Sequence, residues 1–320
     1  MKLFGLHESF NSSTMFIENC SIAKGIFIIR SPSPSYLKSI IAVCILNVIF
    51  GIVGTFLNTL VLFVFFKSKN MRQNTGYLSI MILCATDLIV VTTIPAVFLV
   101  NAVPEILGTP RCLYSIFCNI VMRTTPLLSA NSLIIMNIER YLAIMHPLFH
   151  HTTVTRQKLI WSFGILVCFF LICAAINLTW HQSIGGLIYS VLAFIICSTT
   201  LFQYVSIFFI ARKVLFRRIA DVNNKEISSS RRLFLRDLKM ARTYFYIVFL
   251  CFLCYLPIAI LSGISQHFFA NEETRNAYLH WRLSVTPLIS MNATLNCLIF
   301  FWRNMLLRKQ GWKLIKTVRK

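Results

Sequence analysis

Seven long apolar runs divide this chain of 320 residues and limit what it can fold into. A helix of about 20 apolar residues crosses the hydrocarbon core of a bilayer, where the backbone has to satisfy its hydrogen bonds internally. The runs are Ser39–Phe66, Gly76–Val100, Cys112–Ile138, Leu159–Ile176, Leu187–Ile210, Thr243–Ile264 and Leu283–Phe301. They predict an all-α membrane protein, a bundle of seven transmembrane helices.

The basic residues indicate how this bundle is oriented. The net charge is +21, which in a soluble protein would favour a nucleic-acid partner. Here Lys and Arg collect in alternate connecting segments, most densely at residues 212–242 and 303–320. Cytoplasmic loops carry such an excess. We therefore expect an extracellular N-terminus, a cytoplasmic C-terminus, the lipid bilayer as the surrounding partner, and no nucleic acid.

Three regions follow from these boundaries. Residues 1–38 are the extracellular N-terminus, residues 39–301 the transmembrane domain, and residues 302–320 a cytoplasmic helix and tail. Apolar and basic residues interleave over 303–316, which predicts a short amphipathic helix on the inner leaflet. Three glycosylation sequons fall on the predicted outer side. Their acceptors are Asn11, Asn19 and Asn177.

Asp87 lies deep in the second run, where a charged side chain is costly and usually faces the interior of the bundle. Two interpretations are open. Asp87 is either an anchor for hydrogen bonds between helices, or part of a cation or proton site shared with residues of the third and seventh runs. The residues of that second interpretation are Ser129, Asn292 and Asn296. The two asparagines are four apart and therefore share one helical face.

The third run ends in Glu139-Arg140-Tyr141. Taken alone, Glu139 and Arg140 would be an interfacial ion pair with no function. The triplet also matches the motif that ends the third helix of rhodopsin-like G-protein-coupled receptors, and further matches follow in order along nearly the whole chain. These are Asn58 in the first run, Asp87 in the second, Trp161 in the fourth, Tyr204 in the fifth, Cys254-Tyr255-Leu256-Pro257 in the sixth, and Asn296 to Phe300 in the seventh. Tyr255 stands where the family usually has Trp.

The resemblance implies a cell-surface receptor, not an enzyme, that binds an extracellular ligand and activates heterotrimeric G proteins. Arg140 would be held by Glu139 and Asp237, with Tyr204, Asn296 and Phe300 completing the switch. Pro257 would kink helix six and serve as its hinge. No metal or cofactor is expected, apart from an allosteric sodium ion in the polar core of Asn58, Asp87, Ser129, Asn292 and Asn296.

The chain departs from the family at its outer end. The family ties helix three to the second outer loop by a disulfide, but that loop contains no Cys here and Ser115 stands at the matching helix-three position. Either the tie is absent, or Cys112 pairs elsewhere, with Cys20 as the candidate. The short second outer loop and a fifth helix without the usual Pro resemble melanocortin and some lipid receptors.

Fewer sequence features indicate where the ligand pocket lies. Met122 stands where amine receptors carry an Asp. Arg123 either pairs with an anionic ligand group, or snorkels outward or pairs with Glu105. Pro126 and Tyr255 complete the predicted pocket. The first alternative function is a receptor-like protein that does not signal through G proteins. A transporter is the second and less favoured alternative.

Overall fold

The structure is a computed structural model. It describes residues 15–20, 26–179, 190–191, 194–195, 198–199, 201–202, 205–206, 209, 249–250, 253–257, 260 and 272–318. The residues described within the predicted fifth and sixth spans are helical. Asn11, Tyr204 and Asp237 lie outside the described residues.

A short hairpin precedes the helices in the described part of the chain. It consists of β1 (Phe16–Asn19) and β2 (Phe27–Ser31). The helices are α1 (Pro34–Lys67), α2 (Lys69–Gln73), α3 (Thr75–Ile106), α4 (Cys112–Met145), α5 (Pro147–Thr153), α6 (Arg156–Thr179), α7 (Glu272–Arg303) and α8 (Met305–Val318). By length and composition alone, α1, α3 and residues Thr274–Arg303 of α7 are able to cross a membrane.

The helices extend beyond the predicted apolar runs, most of all in α7. The seventh run was predicted to begin at Leu283, but the helix begins at Glu272. Residues 272–277 are mostly polar, so hydropathy does not include them, yet Glu, Arg and Ala are good helix formers. As a result, Arg282 lies inside a helix and not in an outer loop.

Helix α1 packs against α3 and α7 through glycines that permit a close approach. A Cβ at Gly54 would lie 2.6 Å from Thr294 Oγ1 and 2.7 Å from Val91 Cγ1. Thr294 Oγ1 also donates a hydrogen bond to the Phe50 carbonyl over 3.1 Å. Helix α3 runs antiparallel to α1 and α4, since it contacts Tyr36 of α1 and Ser115 of α4 near its end, whereas α7 runs parallel to α1. We call the end with residues 34, 106, 112 and 272 the hairpin end, and the other end the tail end.

The hairpin covers part of the hairpin end, and helical periodicity did not predict its strands. Arg30 Nε and Glu18 Oε2 form an ion pair of 2.6 Å across the two strands. Met15 and Ile29 are buried in one apolar cluster with Tyr36 and Ile40 of α1. The structure also joins Cys20 to Cys112, the first residue of α4, in a disulfide.

Loss of this disulfide is expected to destabilise the protein. Cys20→Ser should lower the free energy of unfolding by about 2–5 kcal/mol, because the bond closes a long loop between residues 92 positions apart. Cys112→Ser should have the same effect, and the double variant should be no less stable than either single variant. Thermal unfolding in detergent measures this. Cys44→Ser, at a free and partly exposed cysteine of α1, is the control. Additive losses in the double variant would contradict the pairing.

Helix α8 follows α7 at the tail end. Asn304 caps it, since its Oδ1 accepts hydrogen bonds from the backbone N–H groups of Leu306 and Leu307. Leu307 is buried against the bundle, while Met305 and Trp312 are exposed. This arrangement agrees with the amphipathic helix predicted over 303–316, with its bounds shifted by two residues.

Candidate functional site

The polar core lies around Asp87, whose side chain is completely buried in α3. Ser129 of α4 donates a hydrogen bond to Asp87 Oδ1. Asn296 Nδ2 of α7 donates to Asp87 Oδ2 over 3.2 Å. Three helices therefore meet at one carboxylate, and residues 209 positions apart in the sequence become neighbours. The sequence predicted a site of Asp87 with Ser129, Asn292 and Asn296, and in the structure Ser129 and Asn296 donate to Asp87 while Asn292 does not.

Within the part of the chain that the structure describes, several buried amide atoms of the predicted polar core have no hydrogen-bond partner. Asn58 uses its Nδ2 to donate to the Gly54 carbonyl over 2.9 Å, which leaves its Oδ1 without a partner. Asn296 Oδ1 and both amide atoms of Asn292 also lack partners. Buried polar groups are normally satisfied. A carboxylate, a hydroxyl and amide oxygens are the ligands that a small hard cation prefers.

A second site lies at the tail end, around Glu139. Its Oε2 forms an ion pair of 3.0 Å with Arg140 Nε. Its Oε1 accepts a hydrogen bond from Thr75 Oγ1 over 3.3 Å and lies 3.0 Å from His150 Nε2. The almost fully buried carboxylate of Glu139 thus connects α3, α4 and α5. Tyr141 is partly buried, and its ring lies edge to face against His146.

Sequence analysis did not assign a role to His150. It lies in α5, which begins at Pro147 and is one of the shortest helices described. Proline is favoured in the first turn of a helix, and the next turn brings the His150 ring back toward Glu139. The sequence signal for this helix is therefore Pro147, which favours a helical turn directly after α4.

The guanidinium of Arg140 packs directly over Gly76 in the first turn of α3. A Cβ at Gly76 would lie 2.7 Å from Arg140 Nη1 and closer still to Cζ and Nη2. Only a residue without a side chain fits beneath this guanidinium as it is placed. The absence of a side chain at Gly76 therefore leaves the space that the Arg140 guanidinium occupies beside Glu139.

The described residues of helix six contact α4 through two residues of the predicted ligand pocket. Tyr255 Oη donates a hydrogen bond to the Pro126 carbonyl over 3.3 Å. Cys254 and Tyr255 are buried, and Pro257 is partly buried. Phe300 of α7 belongs to the same buried apolar cluster as Tyr255. Tyr255 thus joins helix six to α4 by a hydrogen bond and shares an apolar cluster with α7.

Two residues of the predicted pocket lie on α4 near this level. Met122 packs against a cluster formed by α3 and α7 residues that include Ile94 and Ile289. Arg123 is partly buried.

Two predicted glycosylation sites lie in regular structure, Asn19 in β1 and Asn177 in α6.

A third polar site, at the hairpin end, was not predicted. Glu105 of α3 is buried, and its carboxylate accepts hydrogen bonds from Asn101 Nδ2 over 2.8 Å and from Tyr36 Oη over 3.4 Å. Ser115 of α4 donates to Asn101 Oδ1 over 2.8 Å. Arg282 of α7 interacts electrostatically with Glu105. The hydropathy boundaries at Val100 and Leu283 excluded these residues from the bundle, so the sequence did not bring them together.

Comparison with protein families places most of the chain in a known family. The family model for the 7 transmembrane receptor (rhodopsin family) matches residues 57–300. This range runs from the residue before Asn58 to Phe300 and includes the polar core and the Glu139–Arg140 pair. No curated protein matches the chain.

Proposed function

Because this chain belongs to the rhodopsin family of seven-transmembrane receptors, we propose that it is a cell-surface receptor that binds an extracellular ligand and activates heterotrimeric G proteins. Members of the family are receptors and not enzymes. The ion pair between Glu139 and Arg140 at the tail end carries the proposal. It supplies a restrained cation beside the surface where a cytoplasmic partner would dock.

In this proposal the protein is a multi-pass protein of the plasma membrane, with the hairpin end outside. The disulfide between Cys20 and Cys112 supports this orientation, because disulfides persist in oxidising compartments. The basic residues of α8 support a cytoplasmic tail end. Asn11, Asn19 and Asn177 would then be available to the glycosylation machinery.

Activation would release Arg140 and move helix six outward. Glu139 and the close contact with Gly76 hold Arg140 in the resting state, with Asp237 as the proposed second partner on helix six. Tyr204, Asn296 and Phe300 are the proposed residues that receive the released arginine. Pro257 would be the pivot, and the bond from Tyr255 to Pro126 would break or shift as the helix moves. A few kcal/mol of differential ligand affinity is enough for such a population shift.

The polar core is proposed to bind a sodium ion in the resting state. Asp87 and Ser129 would supply a carboxylate and a hydroxyl oxygen. The unpartnered oxygens Asn58 Oδ1, Asn292 Oδ1 and Asn296 Oδ1 are the further candidates. The ion would supply a positive charge that offsets the buried carboxylate and links α3, α4 and α7. No step of G-protein activation depends on it.

Helix α5 supports a docking role at the tail end. Leu148, next to Pro147, is 85% exposed, and Phe149 beside it is exposed as well. The contact of 3.0 Å between His150 Nε2 and Glu139 Oε1 attaches this helix to the switch. A leucine presented in this way to the cytoplasm is apolar surface that a docked G protein would bury.

Leu148→Asp is therefore expected to reduce G-protein activation at least about tenfold. Burying a leucine is worth about 1.5–3 kcal/mol, each 1.4 kcal/mol is about a factor of ten, and a buried aspartate adds a desolvation cost. Activation across a panel of Gα subunits at matched surface expression measures the effect. Leu107→Asp is the control, because Leu107 is similarly exposed, at 69%, but lies at the hairpin end. Equal losses in both variants would contradict docking at α5.

A further inference from the structure

Arg282 is a cation inside the hairpin end of the bundle. It lies ten residues after the start of α7, or about 15 Å along the helix at 1.5 Å per residue. Tyr36 of α1, Glu105 of α3 and Cys118 of α4 all interact with it electrostatically, as does Tyr278 one turn earlier in α7. Its guanidinium therefore faces the space between four helices and not the lipid.

Glu105 does not neutralise Arg282 by direct contact. Its carboxylate already accepts hydrogen bonds from Asn101 and Tyr36, and Ser115 fixes the orientation of the Asn101 amide. Arg282 and Glu105 form no ion pair within 4.0 Å. Within the described part of the chain, the Arg282 side chain interacts with its neighbours over longer distances and not through a hydrogen bond. Its side chain is only partly buried. The five N–H donors of its guanidinium thus have no hydrogen-bond partner among the described residues.

We propose that Arg282 anchors the carboxylate of a small organic acid, which is the class of ligand that this receptor recognises. A guanidinium presents its donors in a planar fork that matches a carboxylate in bidentate geometry. A charge in a membrane protein interior favours such a partner. The inference rests on the proposed receptor function and adds the chemistry of its ligand.

The neighbours of Arg282 restrict the ligand to a monoanion with an apolar body. Glu105 would repel a second negative charge, because like charges within the same low-dielectric site disfavour each other. Leu279 and Leu283 flank Arg282 in α7 and belong to the buried apolar cluster that Met15 and Ile29 of the hairpin complete. On α4, Met122 lies one turn below Cys118 and extends the apolar surface toward the predicted pocket.

Thermal unfolding of the purified full-length receptor, with octanoate as the probe, tests this assignment. Octanoate should raise the midpoint in a saturable way, whereas octanol and octylammonium, which lack the carboxylate, should not. Arg282→Gln should weaken octanoate binding at least tenfold. Arg282→Lys should bind with intermediate affinity, since it keeps the charge but not the fork. Arg111→Gln should bind as the wild type does, because Arg111 is an exposed cation at the same end.

Three results would overturn the assignment. They are an equal octanoate effect in wild type and Arg282→Gln, an equal effect of octanol, or no saturable effect of octanoate in the wild type. If Arg282→Gln does not fold, Arg282→Lys takes its place in the test. A wild-type affinity for octanoate in Arg282→Lys would then overturn the assignment. Because binding is measured without a G protein, these results leave basal G-protein activation as an independent test of the receptor function.

Discussion

Gly76→Ala should raise the basal G-protein activation of this receptor about tenfold. The alanine Cβ would overlap the guanidinium of Arg140, with Nη1 at 2.7 Å and Nη2 nearer. Since the guanidinium is the end of a flexible side chain, it is expected to move and leave the backbone of α3 in place. Arg140 then loses the resting position beside Glu139. A loss of about 1.4 kcal/mol from the resting state changes the equilibrium about tenfold.

Gly164 supplies a matched control for this substitution. It lies in the middle of α6, and a Cβ there would meet no atom within 4 Å. Gly164→Ala should therefore signal as the wild type does. In the background of Arg140→Ala, Gly76→Ala should have no further effect, because the overlapping side chain is absent. A rise that persists without Arg140 would show that Gly76 acts on something other than the arginine.

Sodium is expected to stabilise the receptor against heat, and Asp87→Asn should abolish this effect. A ligand at about ten times its Kd stabilises the folded state by about 1.4 kcal/mol. The substitution would preserve the shape of the side chain but remove the charge that offsets the cation. Thermal unfolding in sodium chloride, compared with choline chloride at equal ionic strength, measures the difference.

Glu18→Gln is the matched control for Asp87→Asn. It also removes one carboxylate charge, but from the exposed ion pair of the hairpin. Its unfolding should keep the full dependence on sodium. If the unfolding of Asp87→Asn still depends on sodium, the ion does not bind in the polar core. Asp87 would then be an anchor for hydrogen bonds between helices.

Much of the architecture follows from the sequence for a physical reason. A backbone in lipid has few alternatives to the helix, so apolar runs predict spans, and the family match confirms the seven-span membrane fold and the receptor resemblance. Burial of a charge is costly enough that Asp87 had to face the interior and acquire polar neighbours. The spacing of four residues placed Asn292 and Asn296 on one face of α7, and Asn296 is the one that donates to Asp87.

Other features depend on information that hydropathy does not contain. The polar first turns of α7 extend the helix beyond the predicted start at Leu283, and only this extension brings Arg282 to Glu105. Strands β1 and β2 are short and pair across residues with no helical or alternating signal. His150 reaches Glu139 because α5 turns the chain back, and Gly76 meets Arg140 through a contact between two helices. Contacts of this kind are set by tertiary packing and not by periodicity.

The central claim is that Arg140 is the restrained switch of a G-protein-coupled receptor. The measurement is activation of a panel of Gα subunits by wild type, Arg140→Ala and Gly76→Ala at matched surface expression. The account predicts a basal signal on at least one Gα subunit that increases in Gly76→Ala and disappears in Arg140→Ala. Surface expression of all three proteins without a signal on any Gα subunit would contradict it and favour a receptor-like protein that does not signal.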